Sequence, residues 1–120
     1  MTFDHAAFTS RMEAFCAGLP GAEAYIMVHH PAYRVKKKPF LIIGVDGDEP
    51  GMSIKVSKEW QPVVLENDQR FRKTPYIGQH GWITLDLGKP HTWEEIERFV
   101  QQSYEGVAPK VKGLSAGRRP

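Results

Sequence analysis

Ala32-Tyr33-Arg34-Val35-Lys36-Lys37-Lys38-Pro39-Phe40-Leu41-Ile42-Ile43-Gly44-Val45 is the stretch that decides the fold. Its first four residues alternate, three lysines interrupt it, and an unbroken apolar run follows. Alternation marks a half-buried strand, and a short apolar run bounded by turn formers marks a strand covered on both faces. The reading is a hairpin with Lys36, Lys37 and Lys38 at its tip and Pro39 to Val45 as a central strand. Outward on the C-terminal side, Asp46-Gly47-Asp48-Glu49-Pro50-Gly51 is dense in turn formers, and Met52-Ser53-Ile54-Lys55-Val56 alternates again. On the N-terminal side, Ala24 to Val28 is mostly apolar and β-prone, with His29-His30-Pro31 leading into the hairpin. Together these segments predict an antiparallel meander.

Helical patterns flank it. Phe8, Met12, Phe15, Cys16 and Leu19 recur at three and four within residues 3 to 19, with Thr2 or Asp4 available as N-cap and Gly18, Pro20 and Gly21 as terminators. Cys16 lies on the apolar stripe without a basic neighbour, so it reads as a small buried hydrophobe. Ser57 reads as the N-cap of a second helix with Trp60, Val63 and Val64 facing inward. Pro62 near its start keeps this helix short, ending by Glu66 or Asn67. Asp68 to Gly81 reads as a loop with a short strand at Tyr76-Ile77. Trp82 to Leu87 is an alternating strand with Trp82, Thr84 and Asp86 on one face. Thr92-Trp93-Glu94-Glu95 is a capping box, after which Trp93, Ile96, Phe99, Val100 and Tyr104 form a wide apolar stripe.

At 120 residues the chain fits one domain, residues 1–107, followed by a basic and flexible tail, residues 108–120. The net charge is +2, yet residues 107 to 120 hold Lys110, Lys112, Arg118 and Arg119 with no acid. The remainder carries 12 basic against 14 acidic residues. That balance excludes indiscriminate wrapping of nucleic acid, so any phosphate contact is local. No apolar run approaches the roughly 20 residues of a membrane span. A single cysteine rules out a disulfide framework within one chain, and the N-terminus shows no export pattern, so a cytoplasmic setting without membrane contact is expected.

Chemistry-bearing patterns are sparse. His5, His29, His30, His80 and His91 form no HxxxH pair, and His29 or His30 with Asp46 and Asp48 is a weak metal pattern. Ser10, Ser53, Ser57, Ser103 and Ser115 stand in no nucleophile elbow. A non-catalytic protein without metal or cofactor is expected. What remains is basic and aromatic: Arg34 with Lys36, Lys37 and Lys38, and Arg70, Arg72 and Lys73 before a loop that carries Tyr76, His80 and Trp82. Clustered cations suit phosphates and aromatic rings suit bases. A second reading is a protein- or small-ligand-binding groove between sheet and loop, lined by Tyr25, Tyr33, Tyr76 and Trp82.

The element order, with Tyr33-Arg34-Val35, Pro39-Phe40-Leu41, Ser53-Ile54-Lys55-Val56, Thr74-Pro75-Tyr76, His80-Gly81-Trp82-Ile83-Thr84-Leu85 and Ser103-Tyr104, resembles the MmcQ/YjbR family over residues 3 to 107. The resemblance implies an α+β domain with a frataxin-like (CyaY-like) layout, in which an antiparallel sheet packs against N- and C-terminal helices. It also implies DNA binding through a "double wing". Here the wings would be Tyr33 to Phe40, carrying Arg34, Lys36, Lys37 and Lys38, and Arg72 to Trp82, carrying Arg72, Lys73, Tyr76, His80 and Trp82. Gly81 stands where many members place a basic or histidine residue. An acidic iron-binding ridge is not expected, because the first helix offers only Asp4 and Glu13, with Glu23 beyond its end.

Overall fold

The computed structural model describes residues 3–44 and 50–108. The elements in chain order are α1 (His5–Ala17), β1 (Ala22–Met27), β2 (His30–Val35), β3 (Lys38–Gly44), β4 (Gly51–Lys55), α2 (Trp60–Asn67), β5 (Phe71–Lys73), a 3-10 turn (Gly78–His80), β6 (Trp82–Asp86) and α3 (Trp93–Val107). The strands make one antiparallel sheet in the order β1-β2-β3-β4-β6-β5. The α+β class, the central position of β3 and the flanking helices agree with the sequence reading. The acidic turn at 46–49 and the tail from 109 lie outside the described residues.

One face of the sheet carries the core. Val35, Phe40, Leu41, Ile43, Met52, Ile54, Ile83 and Leu85 meet Phe8, Met12 and Cys16 of α1 and Ile96, Val100, Tyr104 and Val107 of α3. Period-two alternation in the strands and spacings of three and four in the helices place these residues on facing surfaces. Burial pushes the Cys16 thiol up to about 12, as suits an inert packing residue. Asp4 caps α1 through the Ala7 amide at 2.9 Å. The capping box of α3 is complete: Glu95 N donates to Thr92 Oγ1 at 3.1 Å and Thr92 N to Glu95 Oε1 at 3.0 Å. Ala108 is still buried in this core.

An irregularity in β3 locks α3 to the sheet. Tyr33 opposes Leu41 but Arg34 opposes Pro39, so Phe40 is an extra residue and both Phe40 and Leu41 enter the core. The β3–β4 ladder reaches Leu41 opposite Ile54 and would next set Phe40 against Lys55. The Ser103 hydroxyl stands there instead, accepting from Lys55 N at 2.9 Å and donating to Phe40 O at 2.6 Å. Tyr104 next to it donates to Pro20 O at 2.5 Å, tying α3 to the connection between α1 and β1.

Three details differ from expectation. The region from 68 to 81 holds a strand at Phe71–Lys73, not at Tyr76-Ile77, because Phe71 fits the core and pairs with Leu85 while Tyr76 has φ 68 and cannot extend. In α2 the buried side chain is Gln61, whereas Trp60 and Val63 are 61% and 42% exposed. Ser57 caps the turn before α2, accepting from Trp60 N at 3.2 Å, and Glu59 holds the N-cap position.

Ser103→Ala leaves a buried amide and a buried carbonyl without the bridging hydroxyl. It is expected to lower stability by about 1–3 kcal/mol in urea unfolding with an unchanged m-value.

Candidate functional site

Among the described residues, no α-helix packs on the opposite face of the sheet. Register sets one row across all six strands: Tyr25, Ala32, Ile42, Ser53, Thr84 and Arg72. The row grades from apolar at β1 to hydroxylic and cationic at β5. Ala32, Ile42 and Trp82 form a small second core, against which Tyr25, Met27 and Ile77 pack. Trp82 is 5% exposed, so its ring underlies this surface as a filler.

The segment between β5 and β6 is anchored over this face. Gln61 Nε2 donates to Gly78 O at 2.7 Å and to Trp82 O at 3.0 Å. Gly81 has φ 98 and its carbonyl accepts from Val56 N at 2.9 Å, while a Cβ there would stand 2.1 Å from Val56 O. That backbone approach dictates glycine at this position. Pro75 and Tyr76 make a tight turn, with Gly78 N donating to Thr74 O at 2.9 Å. Tyr76 is 96% exposed at its tip.

Between this turn and the β1–β2 end lies a cleft of about 490 Å³. Met27, Ile42, Ile77 and Tyr76 line one part, and Ser53, Thr74, Thr84 and Arg72 another. The three hydroxyls are chained, Ser53 Oγ to Thr84 Oγ1 at 2.8 Å and Thr84 Oγ1 to Thr74 Oγ1 at 2.8 Å. A cleft between sheet and loop therefore exists, but of the four residues expected to line it only Tyr76 does: Tyr33 lies on the helix side, buried with Phe40, while Trp82 is buried beneath the surface with Tyr25 packed against it. Sequence reasoning passed over Ser53, Thr74 and the apolar Met27 and Ile42. The alternation of Met52-Ser53-Ile54 and Ile83-Thr84-Leu85 was the available signal for Ser53 and Thr84.

The basic residues divide by what they touch. Arg34 is held by Glu23, Nε to Oε1 at 2.8 Å, and lies 4.4 Å over the Tyr25 ring. Arg70 is committed to structure: it donates to Asp68 at 2.9 and 2.8 Å and to Glu95 at 3.0 and 3.0 Å, and to Pro90 O at 3.0 Å. Its guanidinium beside them holds the Asp68 and Glu95 carboxyls below their ordinary range, Glu95 at about 2. Lys36 and Lys37 make the two-residue tip between β2 and β3, with φ 48 and 70, and Lys38 begins β3. Lys73 ends β5, its stem against Gly78, and Arg72 faces the open side opposite Thr84. Lys36, Lys37, Lys38, Lys55, Arg72 and Lys73 have no ion pair among the described residues. His80 is exposed in the 3-10 turn beside Gln79, at 3.4 Å.

The two basic clusters converge on one end of the sheet. The row Leu41, Ile54, Ile83, Lys73 shows that the start of β3, the end of β4, the start of β6 and the end of β5 lie side by side. Three inter-strand steps from β3 to β5 span about 14 Å. Among the described residues, no group of three or more His, Cys, Asp or Glu is placed to hold a metal ion, and no helix is long and apolar enough to cross a membrane.

The family model described as YjbR matches residues 17–106, well over half of the chain. The chain belongs to the YjbR family. In structure, this YjbR protein is similar to Deinococcus radiodurans protein DR2400, described with a DUF419 domain, at a TM-score of 0.73 and 17% identity, covering 90% of this chain and 85% of that one. That likeness shows the shared fold. No curated protein matches the sequence.

The Arg70 network generates a pH prediction. Carboxyls with depressed folded-state pKa values contribute stability above their unfolded values, near 4, and lose it as pH falls toward about 2. Glu95→Gln keeps the capping geometry but removes the charge. The variant is expected to lose less stability than the parent between pH 5 and 2, read as the shift of thermal midpoint with pH.

Proposed function

We propose that this YjbR protein is a non-catalytic module that binds duplex DNA through the lysine-bearing end of its sheet. The observation that carries the reading is the convergence of Lys36, Lys37 and Lys38 with Lys55 and Lys73 on that end, free of ion pairs among the described residues. A body that is otherwise slightly acidic repels phosphates elsewhere and so orients the approach. Strands β3 and β5, next to the two clusters, lie about 14 Å apart across the sheet, of the order of the roughly 12 Å width of the major groove. Arg34, occupied by Glu23, positions the hairpin, and Trp82 supports the surface from beneath.

The tip itself supports this reading. Lys36 and Lys37 both occupy left-handed backbone, the geometry of a two-residue hairpin turn for which Asn-Gly is the least strained choice. Lysines are kept there at a cost of about 1 kcal/mol or more each.

The double substitution Lys36→Asn with Lys37→Gly is expected to hold or raise stability by up to about 1 kcal/mol while weakening DNA binding. With each lost phosphate contact the slope of log K against log salt falls by about 0.9, so replacing Lys36, Lys37 and Lys38 by Ala lowers it by about 2–3. Absence of duplex binding at low salt, or a slope unaltered in the triple variant, would refute the proposal.

A further inference from the structure

The cleft on the open face is a separate site, and its chemistry specifies a ligand class. Ser53, Thr84 and Thr74 own three hydroxyl protons but share only two contacts among themselves. Whichever way the chain is oriented, one proton remains, and these hydroxyls have no other partner among the described residues. All three line the cleft. Arg72, directly opposite Thr84 in the sheet register, brings to the same place a guanidinium without an ion pair among the described residues. A hydroxyl donor next to a cation selects a carboxylate, sulfonate or phosphate head.

The rest of the cleft selects the body of that ligand. Met27, Ile42 and Ile77 present apolar surface next to the hydroxyls. Tyr76 stands over them, 96% exposed, with φ 68. A bulky residue held in left-handed backbone with its ring in water is strained without any packing return. At about 490 Å³ the cleft falls within the range of small-molecule sites, roughly 300–1,000 Å³.

We infer that the open-face cleft binds a small amphipathic organic anion. Its anionic head meets Arg72 and the Ser53–Thr84–Thr74 hydroxyls, and its flat or aliphatic body lies on Met27, Ile42 and Ile77 beneath Tyr76. This site does not use the hairpin lysines and stands independently of the DNA reading. Apolar contact with a ring that is otherwise exposed gives Tyr76 its role, and the hydroxyl chain fixes the orientation of the head.

The test is titration of the full chain with 8-anilinonaphthalene-1-sulfonate, an aryl sulfonate, followed by amide NMR shifts and fluorescence. Saturable one-to-one binding is expected, with shifts concentrated at Met27, Ile42, Arg72, Ile77 and Thr84. Arg72→Gln is expected to weaken it about tenfold, the loss of one charge-assisted contact. Tyr76→Gly is expected to weaken it at least about threefold while leaving the unfolding midpoint unchanged or higher, which a merely structural tyrosine would not do. The Lys36→Asn, Lys37→Gly variant should bind the probe like the parent. The inference is overturned if the shifts fall instead around Trp60 and Val107, or if the neutral N-phenyl-1-naphthylamine binds as tightly as the sulfonate. It is equally overturned if the lysine variant loses as much affinity as Arg72→Gln, or if a short oligothymidylate displaces the probe. The last result would make the cleft an extension of a nucleic-acid surface. Failure here leaves the salt-dependent duplex measurement, which reads the other end of the sheet, unaffected.

Discussion

The Ser103 hydroxyl between Lys55 N and Phe40 O is the contact on which the layout of the molecule depends. It sits where the extra residue Phe40 has interrupted the regular ladder, and it converts what would be two unsatisfied buried groups into a joint between α3, β3 and β4. A buried polar group left unpaired costs more than a paired one returns, so the joint has little freedom to slip. Because Phe40 and Leu41 both enter the core at this point, the Tyr104 ring meets Phe40 edge-on at 5.4 Å and α3 is fixed in register with the sheet. Tyr104 then ties the same helix to Pro20, so one turn of α3 determines the position of both α1 and the central strands.

With both terminal helices committed to one face, the other face is left to the chain's own loops. The segment from Thr74 to Gly81 covers part of it, held by Gln61 from α2 and by the close approach of Gly81 to Val56. It covers the Trp82 end and leaves the Met27 end open, which is what makes a cleft out of a flat sheet. Arg70 does similar work beyond the sheet, joining Asp68, Pro90 and the capping residue Glu95. Two arginines two positions apart therefore have opposite fates: Arg70, just before β5, is consumed by structure, and Arg72, within β5, is left facing the cleft.

The fold was legible in sequence wherever periodicity and burial coincide. The hairpin around Lys36, the apolar β3 and the capping box at Thr92 are local patterns, and they appear in the structure as read. The errors fall where tertiary contacts override local preference. Trp60 and Val63 looked like the inner side of α2, but Gln61 is inside, its amide donating to the carbonyls of both Gly78 and Trp82. Tyr33 looked like a groove residue, but it alternates with Ala32 of the open-face row and so points with its partner Leu41 into the core. Of the cleft, the individual faces of Ser53 and Thr84 were readable from alternation. Their juxtaposition with Thr74 was not, because it depends on how β5 and the following turn fold back onto β6.

Backbone strain separates framework from working surface. Among the described residues, five non-glycine positions have positive φ: Val28, His29, Lys36, Lys37 and Tyr76. All five lie in tips at the ends of strands or over the open face, and none packs in the helix-side core. Glycine is used at Gly81, where a Cβ would meet Val56 O, so left-handed geometry in a packed position has been assigned to the residue that tolerates it. At the tips the same substitution would relieve strain of about 1–2 kcal/mol per residue without disturbing any core contact. The side chains retained there instead are two lysines on the cationic end of the sheet, a valine and a tyrosine bordering the cleft, and His29, whose ring meets His30 at 4.9 Å. Strain kept at the exposed Lys36, Lys37 and Tyr76 marks surfaces whose side chains serve something other than stability.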